Sequence, residues 1–230
     1  MNELRQYLAG QGAALIGVAD LAPVDEATRQ GFPRAVSFAM ALTPRIVAGI
    51  ANGPTREYRE EYDRLNKRLS SIAQDLAALL TARGWKAHAR PASGDIDWEA
   101  LRSVFSHKMA ATLAGLGWIG KSDLLVTPDY GSALRWGSVL TDAPLPAGTP
   151  VTESRCGECT ACVAICPGHA CSGRNWRRGM AREEFWDARA CLEGMRKVNE
   201  QHGTNFFICG MCIAACPFTR AYLKREKAIT

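Results

Sequence analysis

Cys156-Gly157-Glu158-Cys159-Thr160-Ala161-Cys162-Val163-Ala164-Ile165-Cys166-Pro167 decides how the rest of the chain is read. The spacing, C-x2-C-x2-C-x3-C-P, is that of the bacterial ferredoxin run. Three thiolates at short, regular intervals let one loop wrap three corners of an Fe4S4 cube. The fourth cysteine, Cys166, reaches a second cluster, and the proline after it fixes the path of the chain. A shorter group follows at Cys209-x2-Cys212-x3-Cys216-Pro217, one cysteine fewer than a full run. Cys191, on a helical stretch expected at Glu183–Met195, can supply the missing ligand. The pattern predicts two [4Fe–4S] clusters. One takes Cys156, Cys159, Cys162 and Cys216, and the other takes Cys166, Cys191, Cys209 and Cys212. Structural zinc uses isolated C-x2-C pairs and four ligands per ion, which does not explain a full run with a second run behind it. The ninth cysteine, Cys171, reads as a small apolar side chain packed near a cluster.

All nine cysteines lie between Cys156 and Cys216 of a 230-residue chain, so clustered metal or redox ligands are expected rather than scattered disulfides. Apolar residues make up 47% and charged residues 22%, which excludes disorder as the default for any long stretch. The net charge of +5 is a weak pointer to anionic partners. Met1–Gly10 (MNELRQYLAG) has neither an apolar signal core nor a twin-arginine pair. No run approaches the roughly 18 apolar residues of a membrane span, so no membrane association is expected and the cytoplasm is the expected location.

The first 150 residues contain no cysteine and read as mixed α/β. Ala13–Ala19 and Ala35–Leu42 are short apolar runs expected to be strands, and Lys86–Ala89 is a third. Thr55–Arg83 carries apolar side chains at helical spacing (Tyr58, Tyr62, Leu65, Leu69, Ile72, Leu76, Leu79, Leu80) and is closed by Gly84. Asp97–Ala114 is expected to be a second helix, and Asp123–Thr141 two strands around the turn Pro128–Gly131. The proline- and glycine-rich stretch Asp142–Thr152 sets the expected boundary between a domain at 1–150 and one at 151–230.

Upstream of the cysteines stand Ala114-Gly115-Leu116-Gly117-Trp118-Ile119-Gly120-Lys121, then Leu124-Leu125-Val126-Thr127-Pro128-Asp129-Tyr130-Gly131-Ser132, then Val139-Leu140-Thr141-Asp142-Ala143-Pro144-Leu145. That order, followed by the two cysteine groups, resembles the epoxyqueuosine reductases and their relatives, the reductive dehalogenases, most specifically from His107 to Pro217. The resemblance implies an α+β architecture, with a nitroreductase-like α/β N-terminal domain followed by a bacterial-ferredoxin-like double [4Fe–4S] domain. It also implies a base-off cobalamin bound between the two, fed with single electrons by the clusters. By the same resemblance, contacts to that cobalamin fall at Gly117, Lys121, Leu125, Pro128, Val139 and Gly210; as ordinary structure Leu125 and Val139 are core strand residues and Lys121 a solvated charge. Gly117, Gly120 and Gly131 would also let backbone approach a large flat ligand; as ordinary structure they mark tight loops.

The departures from the family shape the remaining expectations. No Asp-x-Gly-Pro proton-donor element precedes the glycine-rich loop, where the sequence reads Arg90-Pro91-Ala92-Ser93-Gly94-Asp95-Ile96-Asp97. The candidate proton donors are therefore Asp95, Asp97, His107 and Tyr130. His107 has an alternative as a helix residue bound to a carbonyl or carboxylate, and Tyr130 one as a packing residue. The sequence stops soon after Pro217, without the helical extension of longer family members, which speaks against a tRNA substrate. The expected partners are a small redox protein such as a ferredoxin or flavodoxin and a small-molecule or corrinoid substrate; Arg174, Arg177 and Arg178 around Trp176 read first as a solvated loop, with docking of an acidic electron donor or nucleic-acid binding as alternatives. The functional expectation is a cobalamin-dependent iron–sulfur reductase of an unidentified organic substrate. The alternative is a non-catalytic electron-transfer or activator protein; a flavin in place of the corrinoid is a third reading.

Overall fold

The computed structural model describes residues 2–94 and 96–228. In chain order its elements are α1 (Asn2–Gly10), β1 (Leu15–Asp20), α2 (Glu26–Arg29), β2 (Arg34–Ala41), α3 (Pro44–Gly49), α4 (Arg56–Ala82), β3 (Ala87–Arg90), β4 (Ile96–Asp97), β5 (Arg102–Ser103), α5 (His107–Leu113), β6 (Trp118–Ile119), β7 (Leu125–Val126), β8 (Leu134–Thr141), α6 (Ala161–Ile165), α7 (Ala188–Gln201), α8 (Met211–Ala215) and α9 (Pro217–Lys227). They form two compact units. The first takes Met1–Ala41, Asp63–Leu116 and Arg135–Val151; the second takes Leu42–Tyr62, Gly117–Leu134 and Thr152–Thr230. The division is therefore not a single cut near residue 150. Two stretches from the cysteine-free half belong with the cysteines, because β6, β7 and α3 pair and pack within that unit.

The first unit is built on a four-stranded sheet ordered β1-β2-β8-β3. β1 and β2 run antiparallel with Val18 opposite Val36, and β3 and β8 run antiparallel with Ala89 opposite Val139. The apolar stripe of α4 (Leu69, Ile72, Leu76, Leu80) and Leu4 and Leu8 of α1 bury against Val18, Val36, Phe38 and Val139. Each fully buried leucine contributes about 1.5–3 kcal/mol. Gly84, at φ 88°, turns the chain out of α4 and lets the Trp85 amide return to the Leu80 carbonyl at 3.1 Å. Gly137 lies on β8 because Phe38 fills the space beside it: a Cβ there would stand 2.7 Å from the Phe38 ring.

Two expected elements form differently. Asp97–Ala114 is not one helix. Asp97 accepts from the Glu99 and Ala100 amides (2.9 and 3.0 Å) and so folds a local turn between β4 and β5. Helix starts only at α5, where Ser106 accepts from the Met109 amide and caps the first turn. His107 consequently opens this helix instead of lying near its end. Asp123–Thr141 is not a hairpin either. β7 pairs with β6, the turn closes through reciprocal Thr127–Gly131 backbone hydrogen bonds (2.9 and 3.0 Å), and β8 continues into the four-stranded sheet. The helix expected at Glu183–Met195 begins later, at Ala188, because Asp187 caps it by accepting from the Arg189 and Ala190 amides. Among the described residues no helix is long and apolar enough to cross a membrane.

Candidate iron–sulfur site

The second unit shows a local repeat built around the two cysteine groups. α6 and α8 are both five-residue helices with a cysteine in second place, Cys162 and Cys212. Each ends on a cysteine in extended conformation, Cys166 (ψ 115°) and Cys216 (ψ 127°), and each of these precedes a proline. A residue before proline is driven out of the helical region, so the Cys-Pro pair stops each helix and swings its thiol away from the helix axis. α6 and α8 pack on one another. Pro217 then opens α9, where a missing amide hydrogen costs nothing.

Cys156, Cys159, Cys162, Cys212 and Cys216 line one cavity together with Lys121, Val126 and Phe218. Four of these five cysteines are the set assigned from spacing to one cluster. Cys212 is shared in its surroundings: its thiol is pushed well up, first by burial and then by Cys209, Cys191, Cys162 and Cys166. The other set also assembles. Burial, followed by Cys166 and Cys209, pushes Cys191 up to about 12. The approach of α7 that delivers Cys191 depends on two glycines. A Cβ on Gly194 would meet the Gly168 backbone nitrogen at 2.3 Å, and one on Gly168 would meet the Ala190 carbonyl oxygen at 2.0 Å. α7 thus crosses the Cys166-Pro167-Gly168 loop backbone to backbone.

Cys171 is buried beside a cysteine of each set, Cys162 and Cys166. Its hydrogen bond is the first cause that brings Cys166 down to about 5 and Cys162 down to about 7. Cys171 itself is pushed up by the same two partners, as befits a thiol that keeps its proton. The Cys166 sulfur also accepts from the Ala170 amide at 3.4 Å. The cysteines stand around a cavity and do not converge on a point: among the described residues no three His, Cys, Asp or Glu side chains are placed to hold a single metal ion. A soft thiolate set spread around a cavity fits Fe4S4 units, whose corners each take one sulfur.

The other expected site residues divide between the units. Asp97 is exposed in its turn, and Asp95 lies outside the described residues. His107 has both ring nitrogens engaged, Nδ1 with Ser138 Oγ and Nε2 with the Pro91 carbonyl, each at 2.9 Å. Burial first, and then the positive charges of Arg135 and Arg90, bring it down to about 4 against the helping effect of the Pro91 carbonyl. Tyr130 packs its ring 5.1 Å from that of Tyr222. Val139 is a core residue of the sheet with no exposed side chain, so it offers a ligand no side-chain contact. Leu125 is buried in β7, Pro128 is exposed, and Lys121 is buried in the wall of the cysteine cavity.

The glycines expected to admit a flat ligand serve chain packing. A Cβ on Gly117 would stand 2.3 Å from the Val126 oxygen, on Gly120 2.8 Å from Val126 Cγ2, and on Gly131 2.2 Å from the Thr219 nitrogen. Gly210 is left-handed (φ 82°) and faces Ile50 and Tyr58. Sequence reasoning missed Trp118 as a partner of the cysteines. Its indole N–H donates to the Cys156 sulfur at 3.4 Å, while its ring lies 5.0 Å from Phe218. Nothing at sequence level marks that contact, since it joins residues 38 apart.

Comparison with known proteins agrees with this geometry. Residues 155–219 match the model of the 4Fe-4S double cluster binding domain. The chain is 27% identical over 232 residues to the epoxyqueuosine reductase of Pseudomonas aeruginosa, covering 93% of this chain and 57% of that protein. It is 36% identical over 119 residues to that of Aliivibrio fischeri, covering 48% of this chain and 29% of the relative. Among solved structures, a reductive dehalogenase studied for B12-dependent dehalogenation superposes with a TM-score of 0.72 at 20% identity over 99% of this chain and 33% of its own. An epoxyqueuosine reductase solved with an epoxyqueuosine-modified tRNA stem loop superposes with a TM-score of 0.63 at 19% identity over 96% of this chain and 65% of its own. At these identities the structural likeness is one of fold. The expectation against tRNA is corrected here. A protein of this fold holds a tRNA stem loop, and where a sequence stops does not argue against such a substrate. The chain is thus similar in sequence to the epoxyqueuosine reductases, matches a 4Fe-4S double cluster binding domain over residues 155–219, and shares its fold with a reductive dehalogenase.

Proposed function

We propose that this chain is an iron–sulfur reductase in which two [4Fe–4S] clusters deliver electrons one at a time to an organic substrate, with epoxyqueuosine in tRNA as the first candidate. The observation that carries the reading is the gathering of eight cysteines into two interlocked sets within one compact unit, across residues that match a double cluster domain. Cys156, Cys159, Cys162 and Cys216 would hold one cluster, and Cys166, Cys191, Cys209 and Cys212 the other. The candidate substrate comes from the named activity of the sequence relatives and from the tRNA stem loop held by a protein of the same fold. The chain spans 57% or less of those two curated relatives. Its activity is therefore a matter for direct assay.

The finer parts of the reading are a nitroreductase-like arrangement of the first unit and a cobalamin as electron acceptor. The likeness to a dehalogenase studied for B12-dependent chemistry supports the second. When bound, a cobalamin would supply a strongly reducing cobalt centre. Of the residues assigned to it, Val139 is sealed in a core and Gly117 and Gly210 face protein atoms, so these positions do not by themselves build a corrin site.

Two measurements test the proposal. Anaerobic reconstitution should load about eight irons per chain, two Fe4S4 units. Reduced, loaded protein should then convert an epoxyqueuosine-bearing stem loop to its queuosine form. Full iron loading with no conversion would remove the substrate and leave the clusters. Titration with hydroxocobalamin separates the acceptor question: a stoichiometric base-off corrin spectrum supports it, and an unchanged spectrum removes it.

A further inference from the structure

Trp118 of β6 and Lys121 of the loop before β7 place a buried N–H donor and a buried cation beside the set Cys156, Cys159, Cys162 and Cys216. Lys121 is 4% exposed and lines the cavity walled by all four of Cys156, Cys159, Cys162 and Cys216, to which the other set contributes Cys212 alone. Trp118 is 1% exposed and directs its indole N–H at the Cys156 sulfur at 3.4 Å. The Trp118 ring packs against Phe218 and under Arg155, and that packing leaves its N–H directed at sulfur. A lysine as buried as Lys121 is far from the norm, because a buried ammonium is costly unless an anion faces it. Among the cavity-lining residues no carboxylate is present; the sulfurs are the available anions.

We propose that Lys121 and Trp118 tune the cluster held by Cys156, Cys159, Cys162 and Cys216, keeping its reduction potential above that of the cluster held by the other four cysteines. The inference rests on the two-cluster reading above. Four thiolates around an Fe4S4 core carry net negative charge, and accepting one electron makes that charge more negative by one. A buried cation beside the sulfurs favours the more negative form, and so does an N–H donated to a ligand sulfur. The effect is strong where water is excluded, because no solvent dipole competes. The second set has the Ala170 amide on Cys166. The short segment Trp118–Lys121 thus sets the two potentials apart. The Lys121 cluster becomes the resting place of the first electron, and the other cluster the more strongly reducing one.

The test is an EPR-monitored potentiometric titration of reconstituted protein, with Lys121→Met, Lys121→Arg and Trp118→Phe beside the parent. Two separate midpoints are expected in the parent. Lys121→Met should lower the higher midpoint by at least about 59 mV, a tenfold fall in the reduced-to-oxidised ratio at fixed potential, and leave the lower midpoint in place. Lys121→Arg should keep most of the parental value. Trp118→Phe should shift the same midpoint in the same direction; should the loss of a buried indole prevent folding, the lysine pair carries the test alone. A Cys159→Ser variant assigns the signal, since serine ligation should alter the higher-potential species only. Eight irons with both midpoints unmoved by Lys121→Met, or a shift confined to the lower midpoint, overturns the inference alone. A parent that takes up about four irons or fewer overturns the two-cluster reading and the inference with it.

Discussion

His107 should stay neutral across the physiological range and carry its proton on Nε2. The ring sits at the start of α5 with the Pro91 carbonyl accepting from Nε2 and the Ser138 hydroxyl facing Nδ1, each at 2.9 Å. A carbonyl can only accept, so Nε2 must be the protonated nitrogen, and Nδ1 then accepts from the serine. Adding a second proton would place charge in a site that burial disfavours and that Arg135 and Arg90 already make positive, which is why the group falls from 6.5 to about 4. As pH drops, the unfolded chain takes up this proton near 6.5 and the folded chain only near 4. Stability from this group is therefore complete above about pH 7, declines through that window, and levels off below it. At 1.36 kcal/mol per pKa unit, the full decline is about 3 kcal/mol.

The chain has four histidines, so long-range 1H–15N correlation can follow each one. The expected result is a single Nε2–H tautomer for His107 and no titration above pH 5. His107→Gln, which keeps a donor for Pro91, should flatten the stability difference between pH 6.5 and 4 relative to the parent. A ring that titrates near 6.5, or that holds its proton on Nδ1, would refute the reasoning and restore His107 as a proton donor at neutral pH.

Three further outcomes follow from the packing around the cysteines. Gly194→Ala should expel α7 from the Gly168 loop, withdraw Cys191, and cut iron from about eight to about four per chain while one cluster survives; unchanged iron content would show that the glycine contact does not place this ligand. Gly131→Ala forces a left-handed residue (φ 56°) and sets a Cβ 2.2 Å from the Thr219 nitrogen. It should cost about 2–4 kcal/mol by strain plus overpacking, visible as a lower unfolding midpoint. Cys171→Ala should keep the full iron complement, because the other eight cysteines already supply four ligands to each cluster; a loss of about four irons would make it a ligand.

The site was legible where its determinants are local, and hidden where they are contacts across the fold. Two Cys-Pro junctions and their spacings announce the clusters, since the ligands of each run lie within one loop and one turn of helix. Thr55–Arg83 announces its helix for the same reason: the stripe from Leu69 to Leu80 is a local period with one long face to bury. The reading of Asp97–Ala114 as one helix failed because its polar residues compete with the helix locally. Asp97 folds a turn and Ser106 starts a new helix, and both bonds are stronger local facts than a loose apolar pattern. The glycines are the instructive case. Gly117, Gly120 and Gly131 read in sequence as openings for a ligand, yet each faces another part of the chain: the Val126 carbonyl, the Val126 side chain and the Thr219 backbone. A glycine in sequence says that something approaches the backbone closely; only the fold says whether it is a cofactor or the chain itself. The same holds for Lys121. In sequence it is one basic residue among 28, and its burial beside the cysteines makes it the residue to mutate first.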